Sequence, residues 1–218
     1  MTAPNLIVHT IDDAPLEERV RAIIVNLEQL DRTYFGRDRV SKIRGCLDAT
    51  CVLLDTKPVD MVQNKKEKAE LLYLRGRTLD FLPEYTKQAE DLLSKSLKLE
   101  PTKREAWDAL GHVYWKKNDL PAAKNCFESS LEHEPNNKEI IRNLSMVLRQ
   151  QQTDDAEVRK ANFAQSIKLA SKAVGMDMRD SQSWCKFTLF FSQLIFTFVD
   201  VLGNAHFTNF FVNGEDTE

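Results

Sequence analysis

Apolar residues recur at intervals of three and four along most of this 218-residue chain, which is the spacing of one helix face. Trp107, Leu110 and Tyr114 show it most clearly, since they lie at positions i, i+3 and i+7. Seven Gly and seven Pro are too few for the frequent turns of a sandwich or barrel. The pattern therefore predicts an all-α chain of long helices joined by short turns.

The helical pattern repeats with a period of 34 residues. Pro101 and Pro135 are 34 residues apart, and each closes the phrase S-L-x-x-E-P. The residues between them follow the spacing W-x2-L-G-x2-Y, then A-x3-F, then P: Trp107, Leu110, Gly111, Tyr114, Ala123, Phe127 and Pro135. This period and spacing are those of the tetratricopeptide repeat, in which helix A packs antiparallel to helix B. The fold class predicted is an all-α tetratricopeptide-repeat solenoid with an N-terminal helical hairpin.

Several residues of this repeat have a predicted mechanical role. Gly111 lets helix B approach helix A closely, at the level of Ala123. Asn118 suits the left-handed end of helix A, and Asp119 can cap helix B. Pro135 stops helix B, because its ring cannot continue a helix.

The frame extends to neighbouring repeats at about residues 69–102, 103–137 and 138–180, within a repeat region spanning 60–184. Trp184 holds the position of Trp107 in the next repeat. The third repeat has nine extra residues, which we place in the polar stretch between Gln150 and Arg159.

Two amphipathic segments precede the repeats, and we expect them to form a hairpin over residues 14–57 that covers the open end of the solenoid. Pro15 opens the first segment, and residues 1–13 are expected to be disordered or extended. The first stripe comprises Val20, Ile23, Ile24, Leu27 and Leu30, and the second comprises Val40, Ile43, Leu47 and Leu54.

An apolar segment interrupts the frame after Trp184. Removing residues 185–199 restores W-D-V-L-G-N-A-H, so we interpret them as an in-frame insertion and residues 200–218 as the remnant of a further repeat with a frayed end. A membrane anchor is the alternative. The thirteen residues from Phe187 to Val199 are too short and too polar to cross a hydrocarbon core about 30 Å thick, so no span is expected.

Composition excludes several function classes. Charged residues are 29% of the chain but the net charge is only -3, so no nucleic-acid footprint is expected. Cys46, Cys51, Cys126 and Cys185 lack zinc-ligand spacing, and we expect reduced, mostly buried thiols in a cytoplasmic or nuclear protein. Phosphate-loop, nucleophile-elbow and HExxH motifs are absent, so neither catalysis, a metal nor a cofactor is predicted.

Repeat geometry predicts where a polypeptide partner binds. Positions 2, 5, 9 and 12 of helix A line the concave groove of such solenoids. The candidate groove residues are Asp108, His112 and Trp115 in one repeat and Arg142, Asn143, Met146 and Arg149 in the next. Arg149 is either a ligand contact or a solvated surface arginine, and His112 and Trp115 are either contacts or simply groove wall.

Three stretches carry a resemblance to the tetratricopeptide repeat protein 5 family of stress-responsive activators. They are AEDLLSKSLKLEP (89–101), GHVYWKK (111–117) and NLSMVLRQ (143–150), and the likeness runs from about Ala69 to Trp184 and through VLGNAH. It implies a repeat solenoid followed by an OB-fold, with this chain as a truncated N-terminal part. It also implies a peptide-contacting arginine at Arg149, and roles in coactivator assembly or in recognition of nascent tubulin leading to mRNA decay.

The function predicted is therefore a non-catalytic, peptide-binding adaptor. A co-chaperone is an alternative, but the carboxylate-clamp sites carry Tyr73, Arg77, Ala109, Glu139 and Asn143 instead of the required basic set. A non-functional truncated product and a membrane-associated adaptor are further alternatives.

Overall fold

All regular structure in the described part of the chain is helical, which confirms the all-α prediction. The computed structural model describes residues 14–34, 36, 38–151 and 153–177. Its helices are α1 Leu16–Thr33, α2 Arg39–Asp55, α3 Lys65–Asp80, α4 Lys87–Leu99, α5 Arg104–Lys116, α6 Leu120–His133, α7 Lys138–Gln150 and α8 Ala156–Met176, with one 3-10 turn at Val59–Met61. The expectations for residues 1–13, for Trp184 and Cys185, for the insertion 185–199 and for 200–218 lie outside these residues.

The chain divides into two compact units between Pro135 and Asn136. The first unit contains α1 to α6, and the second contains α7 and α8. Within each unit consecutive helices pack as pairs: α1 with α2, α3 with α4, α5 with α6, and α7 with α8.

The N-terminal pair covers one side of α3. Val20 and Ile24 of α1 and Leu54 of α2 are buried in the same apolar core as Leu71 and Leu74 of α3. The predicted second stripe was wrong at Val40, whose surface is 55% exposed. Val40 lies in the first turn of α2, where no described helix covers it, while the rest of the stripe is buried.

Asn118 and Asp119 define the junction between α5 and α6 in the first unit. Asn118 has a positive φ of 64°, as predicted for the residue that ends α5. The carboxylate of Asp119 accepts a hydrogen bond from the backbone N–H of Ala122 at 3.2 Å and so caps α6. α6 ends at His133, two residues before Pro135.

Gly111 lies where α5 and α6 come closest, but its partner differs from the prediction. A Cβ atom on Gly111 would lie 2.6 Å from Cε1 of Phe127, so the glycine makes room for an aromatic ring and not for the backbone at Ala123. Gly76 of α3 has the same role, since a Cβ atom there would lie 2.7 Å from Cγ of Leu93 in α4. At both glycines, a large side chain of helix B occupies the space that a side chain of helix A would otherwise take.

Most of the nine extra residues of the third repeat lengthen α8, which begins at Ala156 within the predicted stretch from Gln150 to Arg159. α8 has 21 residues and α6 has 14, so α8 is seven residues longer than its counterpart in the second repeat. The segment before α8, 151–155, is two residues longer than the turn 117–119. Asp155 caps the lengthened helix by accepting hydrogen bonds from the backbone N–H groups of Glu157 and Val158 at 2.9 and 3.3 Å. Because the added segment has good helix formers and neither Gly nor Pro, helix is its favoured state.

The cysteines differ from expectation in their exposure. None of the three described cysteines forms a disulfide, but Cys46 is exposed and Cys51 is only half-buried. Cys126 is buried, and burial raises the pKa of its thiol to about 12, so the thiolate is scarce at neutral pH. Cys46 lies beside the buried stripe of α2 and is itself exposed to solvent.

Candidate functional site

The first part of the candidate site is the α5 face, formed by Glu105, Asp108, His112 and Trp115. All four side chains are half-buried, so each keeps some surface for a partner. Nε2 of His112 lies 3.5 Å from Oδ1 of Asp108, one helical turn away. This geometry gives the face a carboxylate and an imidazole beside each other.

Aromatic rings support this face from within the first unit. The His112 ring stacks on Trp115 with centroids 6.2 Å apart, and Phe127 contacts both edge-on at 5.4 and 6.3 Å. Phe127 is fully buried beside Gly111, so the fixed ring of α6 orients both side chains of α5. Such aromatic clusters bind apolar side chains of a peptide at low entropic cost.

The neighbouring helix A contributes Tyr73 and Arg77, two of the clamp positions considered above. Tyr73 is buried, and burial raises the pKa of its hydroxyl to about 12. Arg77 donates to Oδ2 of Asp80 at 2.6 Å and to Oε1 of Glu28 at 3.0 Å, so its guanidinium already serves two carboxylates. Ala109, a third clamp position, is buried and apolar. Tyr73, Arg77 and Ala109 therefore do not form a basic clamp for a peptide carboxylate.

The second part is the α7 face, formed by Glu139, Arg142, Met146 and Arg149 in the second unit. Arg142 is 6% exposed and the adjacent Asn143 is 2% exposed, while Met146 and Arg149 are half-buried. Nη2 of Arg142 lies 3.7 Å from Oε1 of Glu139. A ligand therefore reaches Met146 and Arg149 more readily than Asn143.

Local structure fixes the orientation of α7. The side chain of Asn137 caps the helix by accepting hydrogen bonds from the N–H groups of Glu139 and Ile140 at 3.1 and 3.2 Å. Nζ of Lys138 lies 3.0 Å from Oδ2 of Asp177, which joins the start of α7 to the end of α8. One side of α7 consists of apolar residues that are almost completely buried: Ile140, Ile141, Leu144, Val147 and Leu148. The rotational position of Arg149 is thus determined by this apolar side.

The chemistry of Arg149 suits recognition of a carboxylate or of peptide carbonyl groups. Burial lowers its pKa, yet an arginine stays protonated at neutral pH. A partly desolvated guanidinium forms stronger hydrogen bonds than a fully solvated one. Met146, one turn earlier, supplies an adaptable apolar contact.

Other site types find no support in the part of the chain that the structure describes. No group of three or more His, Cys, Asp or Glu side chains is placed to hold a metal ion there. None of the described helices combines the length and the apolarity needed to cross a bilayer.

Comparison with known proteins defines the class. The family model for the tetratricopeptide repeat matches residues 104–137, the segment whose spacing predicted that repeat. Crystal structures of MamA share the fold: one aligns with a TM-score of 0.54 at 17% identity over 73% of this chain and 85% of MamA. The described helices have the fold of a tetratricopeptide-repeat solenoid, and residues 104–137 match the repeat itself. Proteins of this class are helical scaffolds that bind other proteins.

Within this class, the predicted resemblance to tetratricopeptide repeat protein 5 is confirmed. The chain is 36% identical to the human protein of that name and 35% identical to the mouse protein, each over 210 residues and 92% of this chain. It spans 44% of the length of these relatives.

Proposed function

We propose that this chain is a non-catalytic adaptor that binds an extended polypeptide through the exposed faces of its A helices. The observation that carries the proposal is the half-buried, positively charged Arg149 beside Met146 on the α7 face. A charged group with an adjacent apolar side chain matches the polar and apolar groups that alternate along an extended peptide.

The α5 face supports the same function within the first unit. It places a carboxylate, Asp108, beside the aromatic pair of His112 and Trp115. These groups complement a basic and an apolar side chain of a partner. We treat the α5 and α7 faces as two separate contacts, each tested by its own variant.

The partner proposed is the N-terminal segment of nascent tubulin, with a transcription coactivator segment as the second candidate. Both follow from the resemblance to tetratricopeptide repeat protein 5. A co-chaperone role has less support, because Arg77 is bound to Asp80 and Glu28 and Ala109 is buried.

A binding measurement tests the proposal. Fluorescence anisotropy of a labelled peptide with the tubulin N-terminal sequence is followed for the unmodified chain, Arg149→Ala and the control Arg159→Ala, an exposed arginine of α8. We expect Arg149→Ala to weaken binding by about 1 to 3 kcal/mol, the cost of a lost charged hydrogen bond. Arg159→Ala should leave the affinity within about a factor of two.

Further variants separate the contacts. His112→Ala tests the α5 face by itself, and Arg149→Lys keeps the charge but loses the planar pair of donors. Thermal melts establish that each variant folds. Equal affinity of Arg149→Ala and Arg159→Ala, with both folded, would refute the role of the α7 face. Competition by coactivator peptides and not by tubulin peptides would select the second partner class.

A further inference from the structure

A second surface of the first unit has the features of a binding site, and it does not involve the A-helix faces described above. An open cleft of about 810 Å³ lies between the 3-10 turn, α3 and α4. Its volume is within the range of about 300 to 1,000 Å³ that is common for ligand sites. We call it the basic cleft, defined by Val59, Lys68, Leu72, Arg75, Leu92, Lys95, Lys98 and Leu99.

Helical spacing places the cleft and the A-helix face on different sides of α3. Lys68, Leu72 and Arg75 are separated by four and three residues, so they lie on one side of the helix. Arg77 follows Arg75 by two residues and points about 200° away around the helix. A partner in the basic cleft therefore leaves Arg77 and its face uncovered.

The charges of the cleft are unbalanced. Arg75 donates to the carbonyl oxygen of Leu54 at 2.9 Å and lies 3.3 Å from the carboxylate of Asp55, so its charge is already paired. Lys68, Lys95 and Lys98 also line the cleft, and none of them has an ion-pair partner among the residues that the structure describes. Asp60 is the remaining carboxylate among the lining residues, which leaves a surplus of positive charge.

The floor between these lysines is apolar. Leu92 and Leu99 of α4, two turns apart, and Val59 of the 3-10 turn are half-buried, and Leu72 of α3 is buried beneath them. A partner that covers half-buried leucines binds more tightly, because burial of apolar surface is favourable by about 25 cal/mol per Å². The lining contains no aromatic ring on which a base could stack.

We propose that the basic cleft binds an acidic, amphipathic peptide segment of a partner protein, with its apolar side chains on the leucines and its carboxylates on the lysines. The combination of unpaired lysines and a leucine floor favours this occupant over a nucleic acid. A single strand binds by stacking on aromatic rings, and a duplex binds through more phosphate contacts than three lysines make. The proposal is independent of the α5 and α7 faces, and it gives the adaptor a second contact.

The test uses the full chain and a fluorescein-labelled designed peptide with leucines at i, i+3, i+4 and i+7 and glutamates between them. The cleft variant is Lys95→Glu with Lys98→Glu. Its control is Lys160→Glu with Lys168→Glu, two exposed lysines of α8 in the second unit. We expect about tenfold weaker binding for the cleft variant and a change below about twofold for the control.

A second variant tests the apolar floor. Leu92→Gln should weaken binding of the leucine peptide several-fold and leave binding of a serine-for-leucine version unchanged. Arg149→Ala should not alter binding of the designed peptide, which separates failure of this inference from failure of the proposed function. Equal binding by the cleft variant and its control overturns the proposal. Tighter binding of poly-uridine RNA or phosphatidylserine vesicles through the same lysines also overturns it, in favour of a different occupant.

Discussion

Two residues of helix A, Gly76 and Gly111, are small because helix B places a large residue against each of them. The third repeat does not repeat this pair of residues. Ser145 occupies the position of Gly111, and Ala170 occupies that of Phe127 once the nine extra residues are counted. Ser145 is buried, and its hydroxyl donates to the carbonyl oxygen of Arg142 at 2.7 Å. Two small residues thus stand in the third repeat where the second repeat has a glycine and an aromatic ring.

Gly111→Leu should lower the free energy of unfolding by several kcal/mol. The new side chain would start 2.6 Å from the Phe127 ring, which is fully buried and has no room to move. Gly45→Ala is the control, because a Cβ atom there meets nothing within 4 Å. Removing a mid-helix glycine at that site should stabilise the protein by about 0.5 to 1 kcal/mol. Urea denaturation measures both, and an unchanged midpoint for Gly111→Leu would contradict the repeat frame.

At the scale of helices, one buried carboxylate joins three elements of the first unit. Asp80 ends α3, and its side chain accepts hydrogen bonds from Nη1 of Arg77 at 2.6 Å and from Nζ of Lys116 in α5 at 2.8 Å. Arg77 continues the link to Glu28 of α1. Burial by itself would raise the pKa of Asp80, but the charges of Arg77 and Lys116 outweigh it and hold the pKa below its usual value.

Asp80→Asn should destabilise the first unit by about 3 kcal/mol at neutral pH, because it removes the buried carboxylate that Arg77 and Lys116 share. The folded-state pKa of Asp80 is lower than the unfolded-state pKa. Its stabilising effect is therefore complete above about pH 4 and is lost as the pH falls through the folded-state pKa. The difference in unfolding free energy between the unmodified chain and Asp80→Asn should accordingly shrink at acid pH.

The matched control for this prediction is Asp91→Asn, an exposed carboxylate that pairs with Lys87 within α4 at 3.2 Å. Exposed pairs contribute little, so this variant should change stability by less than about 0.5 kcal/mol at either pH. Denaturant titrations at pH 7 and pH 3 provide the comparison. A pH-independent loss for Asp80→Asn would show that Asp80 acts by packing alone.

At the scale of the whole molecule, α3 presents different residues on its two sides: Tyr73 and Arg77 on one, and Lys68, Leu72 and Arg75 on the other. A helix that is apolar only on its packing stripe leaves the rest of its circumference for partners. The two contacts proposed above are compatible with the repeat fold, because each helix pair buries only its inner residues.

The segment 185–199 gives a prediction for the complete chain. Deleting it restores the spacing W-D-V-L-G-N-A-H and removes five phenylalanines. We expect a higher soluble fraction and less self-association, because a strongly apolar segment that interrupts the repeat spacing favours aggregation. Expression followed by size-exclusion chromatography compares the two forms. Equal solubility and equally monomeric elution would mean that these residues are an accommodated part of the fold.

Periodicity was sufficient to predict the helix pairs, since each apolar stripe must be buried against a neighbour. It located the turn at Asn118 and Asp119, whose conformations depend on local backbone chemistry. It placed the nine extra residues in the stretch from Gln150 to Arg159 but could not separate a longer helix from a loop there, because helix propensity in a polar stretch is a weak signal. It also missed the basic cleft, although Leu92, Lys95 and Leu99 already have the spacing of one helix face.

The sequence alone determined the helical fold class and the repeat length, because both follow from local periodicity and turn residues. The helix positions that would face a partner remain predictions. Tertiary structure decided which side chains meet. Phe127 fills the space beside Gly111, Asp80 joins α1, α3 and α5 through its partners, and three lysines surround a leucine floor. These contacts join residues far apart in the chain, and their distances depend on how helices pack, which a one-dimensional pattern does not specify.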